Sequence, residues 1–250
     1  MRITLFIPCL TDAFTPRAAV AIVKILEYLG HDVDVPATQT CCGQPMFNAG
    51  FHVEAKRLVT RMLDVFDGDA TVVTPSGSCA ALIRHHAPTL YAAGTPERQR
   101  VENLGGRLYE FVEFLVRVER MDLAAHDVRW DGDVTEHFPC HGRGIGLGDE
   151  TMSLLRGIAG VRLHPLEHRD QCCGFGGTFA VKQPAISGGM LREKVSCIAA
   201  TGADVVVCND AGCAMNIAGG CHRAGTPVEV RSFAEILAEG LELLTREEPS

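Results

Sequence analysis

A pattern of four cysteines is written twice in this chain, and that duplication limits what the chain can fold into. The first copy is Cys9, the pair Cys41-Cys42 followed by Gly43, and Cys79; the second is Cys140, the pair Cys172-Cys173 followed by Gly174, and Cys213. Three of the four equivalences are offset by 131 positions and the last by 134. The flanks agree as well. Phe-Ile-Pro-Cys at 6–9 answers His-Phe-Pro-Cys at 137–140, and Gly-Ser-Cys-Ala at 77–80 answers Ala-Gly-Cys-Ala at 211–214. Equal offsets with matching neighbourhoods mark an internal repeat, so two similar lobes are expected.

The pattern between the cysteines alternates strand and helix. Arg2–Ile7 reads as a buried strand, and Thr15-Pro16 as the start of a helix ended by Gly30. A second strand at 31–35, a helix at 53–66 with Leu58, Met62, Val65 and Phe66 on one face, and a third strand at 70–73 follow. A helix at 80–90 comes after Cys79. The apolar stripe Leu108, Phe111, Leu115 and Val118 predicts one helix over 102–118, with no counterpart in the second copy. The second copy repeats the plan, with strands at 134–138, 161–166, 204–207 and 228–230 and helices at 148–159, 184–200 and 233–244. A short helical segment is expected after Cys213, and residues 245–250 are expected to fray.

Alternation of this kind predicts an α/β fold: two similar lobes from an internal duplication, each a small parallel sheet flanked by helices. Periodicity is lost near 121–132, which is read as a linker between a first lobe at 1–120 and a second at 133–250. Every motif cysteine then falls beyond the C-terminal end of a strand, the edge where open parallel sheets hold their ligands. Three segments distant in sequence converge there in each lobe.

Composition narrows the chemistry. Net charge is −8, from 31 acidic and 23 basic residues, which argues against a general nucleic-acid binder. No apolar run is long enough for a membrane span or a signal-peptide core, so a soluble cytoplasmic protein without membrane insertion is expected. Disulfides are uncommon in that compartment, yet the chain has 11 cysteines. The eight in the repeat (Cys9, Cys41, Cys42, Cys79, Cys140, Cys172, Cys173 and Cys213) are read as ligands of a cofactor or metal, and Cys197, Cys208 and Cys221 as core thiols.

Four converging thiolates suit a four-iron cluster or tetrahedral zinc. Adjacent cysteines serve one small ion poorly and two irons of a cluster more easily, so iron–sulfur ranks first, one or two 4Fe-4S clusters in all, and zinc second. A reactive thiol without metal is a third reading. His141, beside Cys140, is read as a capping residue or as a donor to a cluster sulfur. Asn209 and Asp210 are read as loop-orienting residues. Gly174-Phe175-Gly176-Gly177 has the glycine content of a phosphate loop but lacks the strand before it and the Lys-Ser/Thr after it. No flavin or nicotinamide fingerprint is present.

The motifs Cys-Cys-Gly-Gln-Pro-Met-Phe-Asn-Ala-Gly (41–50), Pro-Ser-Gly-Ser-Cys (75–79), Cys-Cys-Gly-Phe-Gly-Gly-Thr-Phe (172–179) and Cys-Ala-Met-Asn-Ile (213–217) resemble those of the cysteine-rich CCG-domain family. That family includes the cysteine-rich component of heterodisulfide reductase and the iron–sulfur components of glycolate and glycerol-3-phosphate oxidation systems. Within it the chain looks most like the lactate-utilisation branch. The resemblance implies an iron–sulfur electron-transfer subunit of a cytosolic system that oxidises L-lactate to pyruvate, with other lactate-utilisation subunits, including a larger iron–sulfur protein, as partners. Its alternatives are a zinc-stabilised scaffold of that complex, a thiol–disulfide enzyme of the heterodisulfide reductase type, or an iron–sulfur subunit of glycolate oxidase. The family motif ends in Cys-x-x-Cys, and here the earlier position is Ser76 in one copy and Asp210 in the other. A five-cysteine cluster is therefore in doubt, with Ser76 or Asp210 as possible oxygen ligands and Cys208 as a poorly placed substitute.

Overall fold

The computed structural model describes residues 1–246, so most of the segment expected to fray, 247–250, lies outside the described residues. Strand β1 (Arg2–Leu5) opens the chain and is followed by helices α1 (Cys9–Phe14) and α2 (Pro16–Tyr28). Thr15 stands at the N-cap of α2 as expected, but its hydroxyl makes no capping bond. Then come β2 (Asp32–Asp34), α3 (Gln44–Asn48), α4 (His52–Val65), β3 (Thr71–Thr74) and α5 (Gly77–Ala81). The helix expected over 80–90 begins at Gly77 and continues past α5 as a π-helical turn at Leu82–His86 and a 3-10 turn at Ala87–Leu90. Helix α6 (Pro96–Arg107), strand β4 (Leu108–Glu110) and helix α7 (Phe111–Phe114) complete the first lobe.

The second lobe runs β5 (Arg129–Glu136), α8 (Cys140–Gly144), α9 (Glu150–Gly157), β6 (Ala159–Leu163), α10 (Thr178–Lys182), α11 (Pro184–Thr201), β7 (Val205–Val207), α12 (Ala211–Ala224), β8 (Glu229–Arg231) and α13 (Phe233–Gly240). Residues 129–132, assigned to the linker by sequence, are the start of β5. The segment after Cys213 is a 14-residue helix rather than a short one.

Both sheets are fully parallel and share one order, β2-β1-β3-β4 and β6-β5-β7-β8. The fourth strand of the first lobe corrects the sequence reading. The apolar stripe from Leu108 to Val118 mimics a helix. Leu108–Glu110 instead pairs with Val72–Thr74 as an edge strand, and the chain re-enters helix at a capping box made by Glu110 and Glu113. Ser232 and Glu235 form the same box ahead of α13. The β4–α7 unit is thus the counterpart of β8–α13, and α6 is the inserted element.

The lobes pack about a pseudo-two-fold axis. Helix α2 lies on α13 while its counterpart α9 lies on α7; α1 lies on α12 while α8 lies on α5. One apolar cluster joins them, bringing Ile22, Ile25 and Leu26 of α2 together with Phe233, Ile236 and Leu237 of α13 and with strand residues of both sheets. Burial of this shared apolar face holds the lobes as one body.

Glu110 adds a pH term to the fold. One carboxylate oxygen accepts the amides of Val112 and Glu113, while the other is buried without a hydrogen-bond partner among the described residues. Burial pushes its pKa up to about 8, against the opposing pull of those two amides. The unfolded chain releases this proton near 4.5, whereas the native chain keeps it to about 8. Across that window the unfolded state binds fewer protons, so stability falls as pH rises. A Glu110→Gln variant, which keeps the amide acceptor, is expected to show a shallower fall in Tm between pH 5 and 8. Parallel Tm curves for the two proteins would refute the assignment.

Candidate metal centres

Each sulfur is placed by a turn at the C-terminal edge of a sheet. Cys9 and Cys140 are the first residues of α1 and α8, behind the extended prolines Pro8 and Pro139. Cys79 and Cys213 lie in the first turns of α5 and α12. The cysteine pairs depend on Gly43 and Gly174, whose φ values of +95° and +85° are strained for any side chain. A Cβ on Gly174 would stand 2.7 Å from the Ser187 carbonyl oxygen, and one on Gly43 3.2 Å from that of Ala55. Glycine therefore lets each Cys-Cys loop sit directly on α4 or α11.

All eight sulfurs predicted from the repeat gather into two sets, one per lobe. Cys42 Sγ lies 3.1 Å from Cys79 Sγ, and Cys173 Sγ lies 3.0 Å from Cys213 Sγ. Cys41 Sγ accepts the Gly43 amide at 3.4 Å, and Cys172 Sγ accepts the Gly174 amide at 3.4 Å. Cys9 stands beside Cys41, and Cys140 beside Cys172, close enough to shift the neighbouring thiol. None of the 11 cysteines is in a disulfide.

Hydrogen bonds from Cys42 and then Cys9 hold the Cys41 thiol down to about 3. Those from Cys140 and then Cys173 hold Cys172 at about 2. The donors move the other way: Cys173 is pushed up to about 12 by its bond to Cys172, and Cys9, Cys42, Cys140 and Cys213 are also raised. In each set one sulfur is thus favoured as the thiolate over the thiols bonded to it. Four thiolates at this spacing need a cationic centre to offset their repulsion, which is the chemistry of a metal or cluster ligand set.

A family profile described as the CCG cysteine-rich domain matches residues 3–84 and 134–218, one match per lobe. The chain belongs to the CCG cysteine-rich domain family. Lactate utilization protein A from Bacillus licheniformis is 40% identical over 238 residues, covering 95% of this chain and 99% of that one. The protein of the same name from Macrococcus caseolyticus is 39% identical over 246 residues, covering 98% and 99%. Likeness to solved structures is weak, with a TM-score of 0.33 and 12% identity over 97% of each chain to an aspartate racemase homologue from Pyrococcus horikoshii OT3.

The first sulfur set borders the second lobe. The cavity at the first set, about 40 Å³, is lined by Cys9, Cys41, Cys42 and Cys79 and also by Asp210 and Gly212 of the second lobe. Ser76 and Asp210, the two departures from the CCG motif, bind each other: the Ser76 hydroxyl donates to Asp210 Oδ2 at 3.1 Å, and the Ser78 amide donates to the same oxygen at 3.2 Å. Each also caps its own helix, through the Cys79 amide to Ser76 Oγ and the Gly212 amide to Asp210 Oδ1. Both residues are thus engaged in joining the lobes. Asn209 orients loops as expected, donating to Thr151 Oγ1 and accepting the Phe233 amide.

His141 bridges the two CCG lobes. Its Nδ1 lies 3.7 Å from Cys140 Sγ, and its Nε2 lies 3.3 Å from the side-chain amide nitrogen of Gln44. Gln44 donates there and to the Ser78 carbonyl, which leaves the His141 proton on Nδ1, facing the sulfur. His85 and His86 are exposed. Of the three cysteines read as core thiols, Cys221 is buried and Cys197 partly so, but Cys208 lies closer to the chemistry: its buried thiol donates to the Asp210 carbonyl and contacts the Cys213 sulfur.

His137 was missed by sequence. It is 1% exposed, both ring nitrogens lack a partner among the described residues, and a ring nitrogen lies within 4.8 Å of the sulfurs of Cys173 and Cys213. Burial, with Lys194 adding to it, pushes its pKa to about 3, so the ring is neutral. The repeat alignment holds the missed signal, since it sets His137 opposite the buried Phe6.

Proposed function

We propose that this CCG protein is an iron–sulfur electron-transfer subunit of a cytosolic L-lactate oxidation system. The observation that carries the reading is the convergence, twice, of four cysteine sulfurs from three turns onto one sheet edge. The near-full-length likeness to proteins named for lactate utilisation supports lactate as the substrate of that system. Cys9, Cys41, Cys42 and Cys79 would hold one centre and Cys140, Cys172, Cys173 and Cys213 the other. Such centres, when bound, take up and release single electrons.

The rest is the work of this chain's own residues. Oxidation of lactate to pyruvate releases two electrons and two protons, and a small sulfur-lined cavity suits electron passage rather than an organic substrate. Hydride acceptance is left to partners, among them a larger iron–sulfur protein. Cys9 is exposed, so the first set reaches the surface where a partner could dock. Ser76 and Asp210 link the two lobes beside the sulfur sets. Among the described residues no helix is long and apolar enough to cross a membrane.

Zinc is the second reading, favoured by the ion-sized cavity at the first set and by the His137, Cys173 and Cys213 grouping at the second. Protein purified without oxygen separates the two. Iron with matching acid-labile sulfide, and a visible band that bleaches on adding L-lactate with the partner subunits, is the expected result. Stoichiometric zinc with no iron and no bleaching would overturn the electron-carrier reading.

A further inference from the structure

The two sulfur sets are not chemically equal, although the repeat makes them look so. Phe6 and His137 are structurally equivalent: the Phe6 amide donates to the Val73 carbonyl at 2.8 Å, and the His137 amide donates to that of Val207 at 2.9 Å. One lobe therefore places a phenyl ring where the other places an imidazole. The Cys-Cys loops rest on Ala55 and Leu58 in the first lobe and on Ser187 and Met190 in the second, which makes Lys194 the counterpart of Met62. Lys194 is fully buried, with its ammonium on the carbonyls of His168 and Arg169. Two apolar residues behind the first set are thus two nitrogen-bearing residues behind the second.

A buried imidazole with neither nitrogen bonded forfeits the hydrogen bonds it made to water, so its place here calls for a ligand. The Cys173 and Cys213 sulfurs stand within 4.8 Å of it and are not hydrogen-bonded to it. An imidazole grouped with two thiols but bonded to neither is arranged as it would be around a shared ion.

We propose that His137 is a nitrogen ligand of the metal centre in the second lobe, so that the protein carries one all-sulfur centre and one mixed sulfur–nitrogen centre. The assignment rests on the reading that each lobe holds a metal, and it applies to iron and to zinc alike. A neutral imidazole would bring a nitrogen donor to the second set without adding negative charge, where the first set offers only a phenyl ring.

Protein carrying ¹⁵N-histidine, with its metal restored anaerobically, provides the test. If the metal is iron, the reduced protein is examined by pulsed electron paramagnetic resonance; if zinc, by X-ray absorption at the zinc edge. The expected result is a histidine-nitrogen signal in the wild type that disappears in both His137→Phe and His137→Gln but persists in His141→Gln. The wild-type signal requires no variant to fold. Metal present without any histidine nitrogen, or a signal lost only in His141→Gln, would overturn the proposal and leave the metal-protein reading intact. A chain that takes up no metal would overturn that reading, and the assignment of His137 with it.

Discussion

A variant with Cys79→Ala and Cys213→Ala together is expected to fold and to hold less than about a tenth of the wild-type metal. Each single replacement should remove about half, because each set is confined to one lobe. Cys79 and Cys213 are suited to this test because each sits against the second cysteine of its pair, at 3.1 and 3.0 Å. Removing one sulfur leaves three, and the first helical turn that presents it can offer no second thiol in the first lobe. In the second lobe Cys208 touches Cys213, so a residue of weakly held metal in Cys213→Ala that vanishes on adding Cys208→Ala is also expected. The chain should remain folded, since the apolar cluster that joins the two lobes contains no cysteine. Metal analysis beside far-ultraviolet circular dichroism makes the comparison. Full metal content in the double variant would mean that these cysteines are not the ligands.

The largest effect on stability is expected from Glu239→Ala. Glu239 is almost fully buried on α13 and gathers three donors: the Arg231 guanidinium at 2.6 Å, the Arg17 guanidinium at 2.7 Å and Trp130 Nε1 at 2.8 Å. Burial alone would raise its pKa, but the Trp130 and Arg17 bonds and the Arg231 charge outweigh burial and keep the carboxylate below its ordinary range. Arg17 belongs to the first lobe and the others to the second, so the cluster joins the lobes where α2 meets α13. Alanine would leave the Arg231 charge buried with only the partly exposed Glu229 beside it. Stripping one partner from a buried pair costs about 3–5 kcal/mol. In a chain of this length that is roughly a 10 °C fall in Tm, at about 2–4 °C per kcal/mol. Calorimetry of Glu239→Ala against Glu239→Gln, which keeps the shape and part of the hydrogen bonding, makes the measurement. A fall under about 2 °C would show that the cluster contributes little.

Much of this was legible before any coordinates. The repeat offsets are covalent facts, and buried strands alternating with amphipathic helices leave few alternatives to a parallel α/β lobe. The proline before Cys9 and the glycine after each Cys-Cys pair indicate turns, because φ at those residues is limited or freed by local sterics alone. Where the sequence misled, it did so through periodicity. Leu108, Phe111, Leu115 and Val118 lie at helical spacing, yet Leu108–Glu110 is the fourth strand. A three-residue edge strand is defined by its partner, here Val72–Thr74, and carries no period of its own.

The lobe interface had no local signal at all. Ser76 and Asp210 are the same repeat position read twice, and nothing along the chain says that a repeat position should meet itself across an axis. His137 teaches the same lesson from the other side. Beside a phenylalanine and a proline it is an unremarked strand-end residue; only packing reveals that both its nitrogens are buried, unbonded and close to two sulfurs. By itself the sequence determined the duplicated plan, the parallel strands and which eight sulfurs could act, since those follow from spacing and backbone sterics. Tertiary structure alone decided how the lobes face one another and which side chains crowd each sulfur set, because burial and the pairing of charges are properties of neighbours brought together by folding.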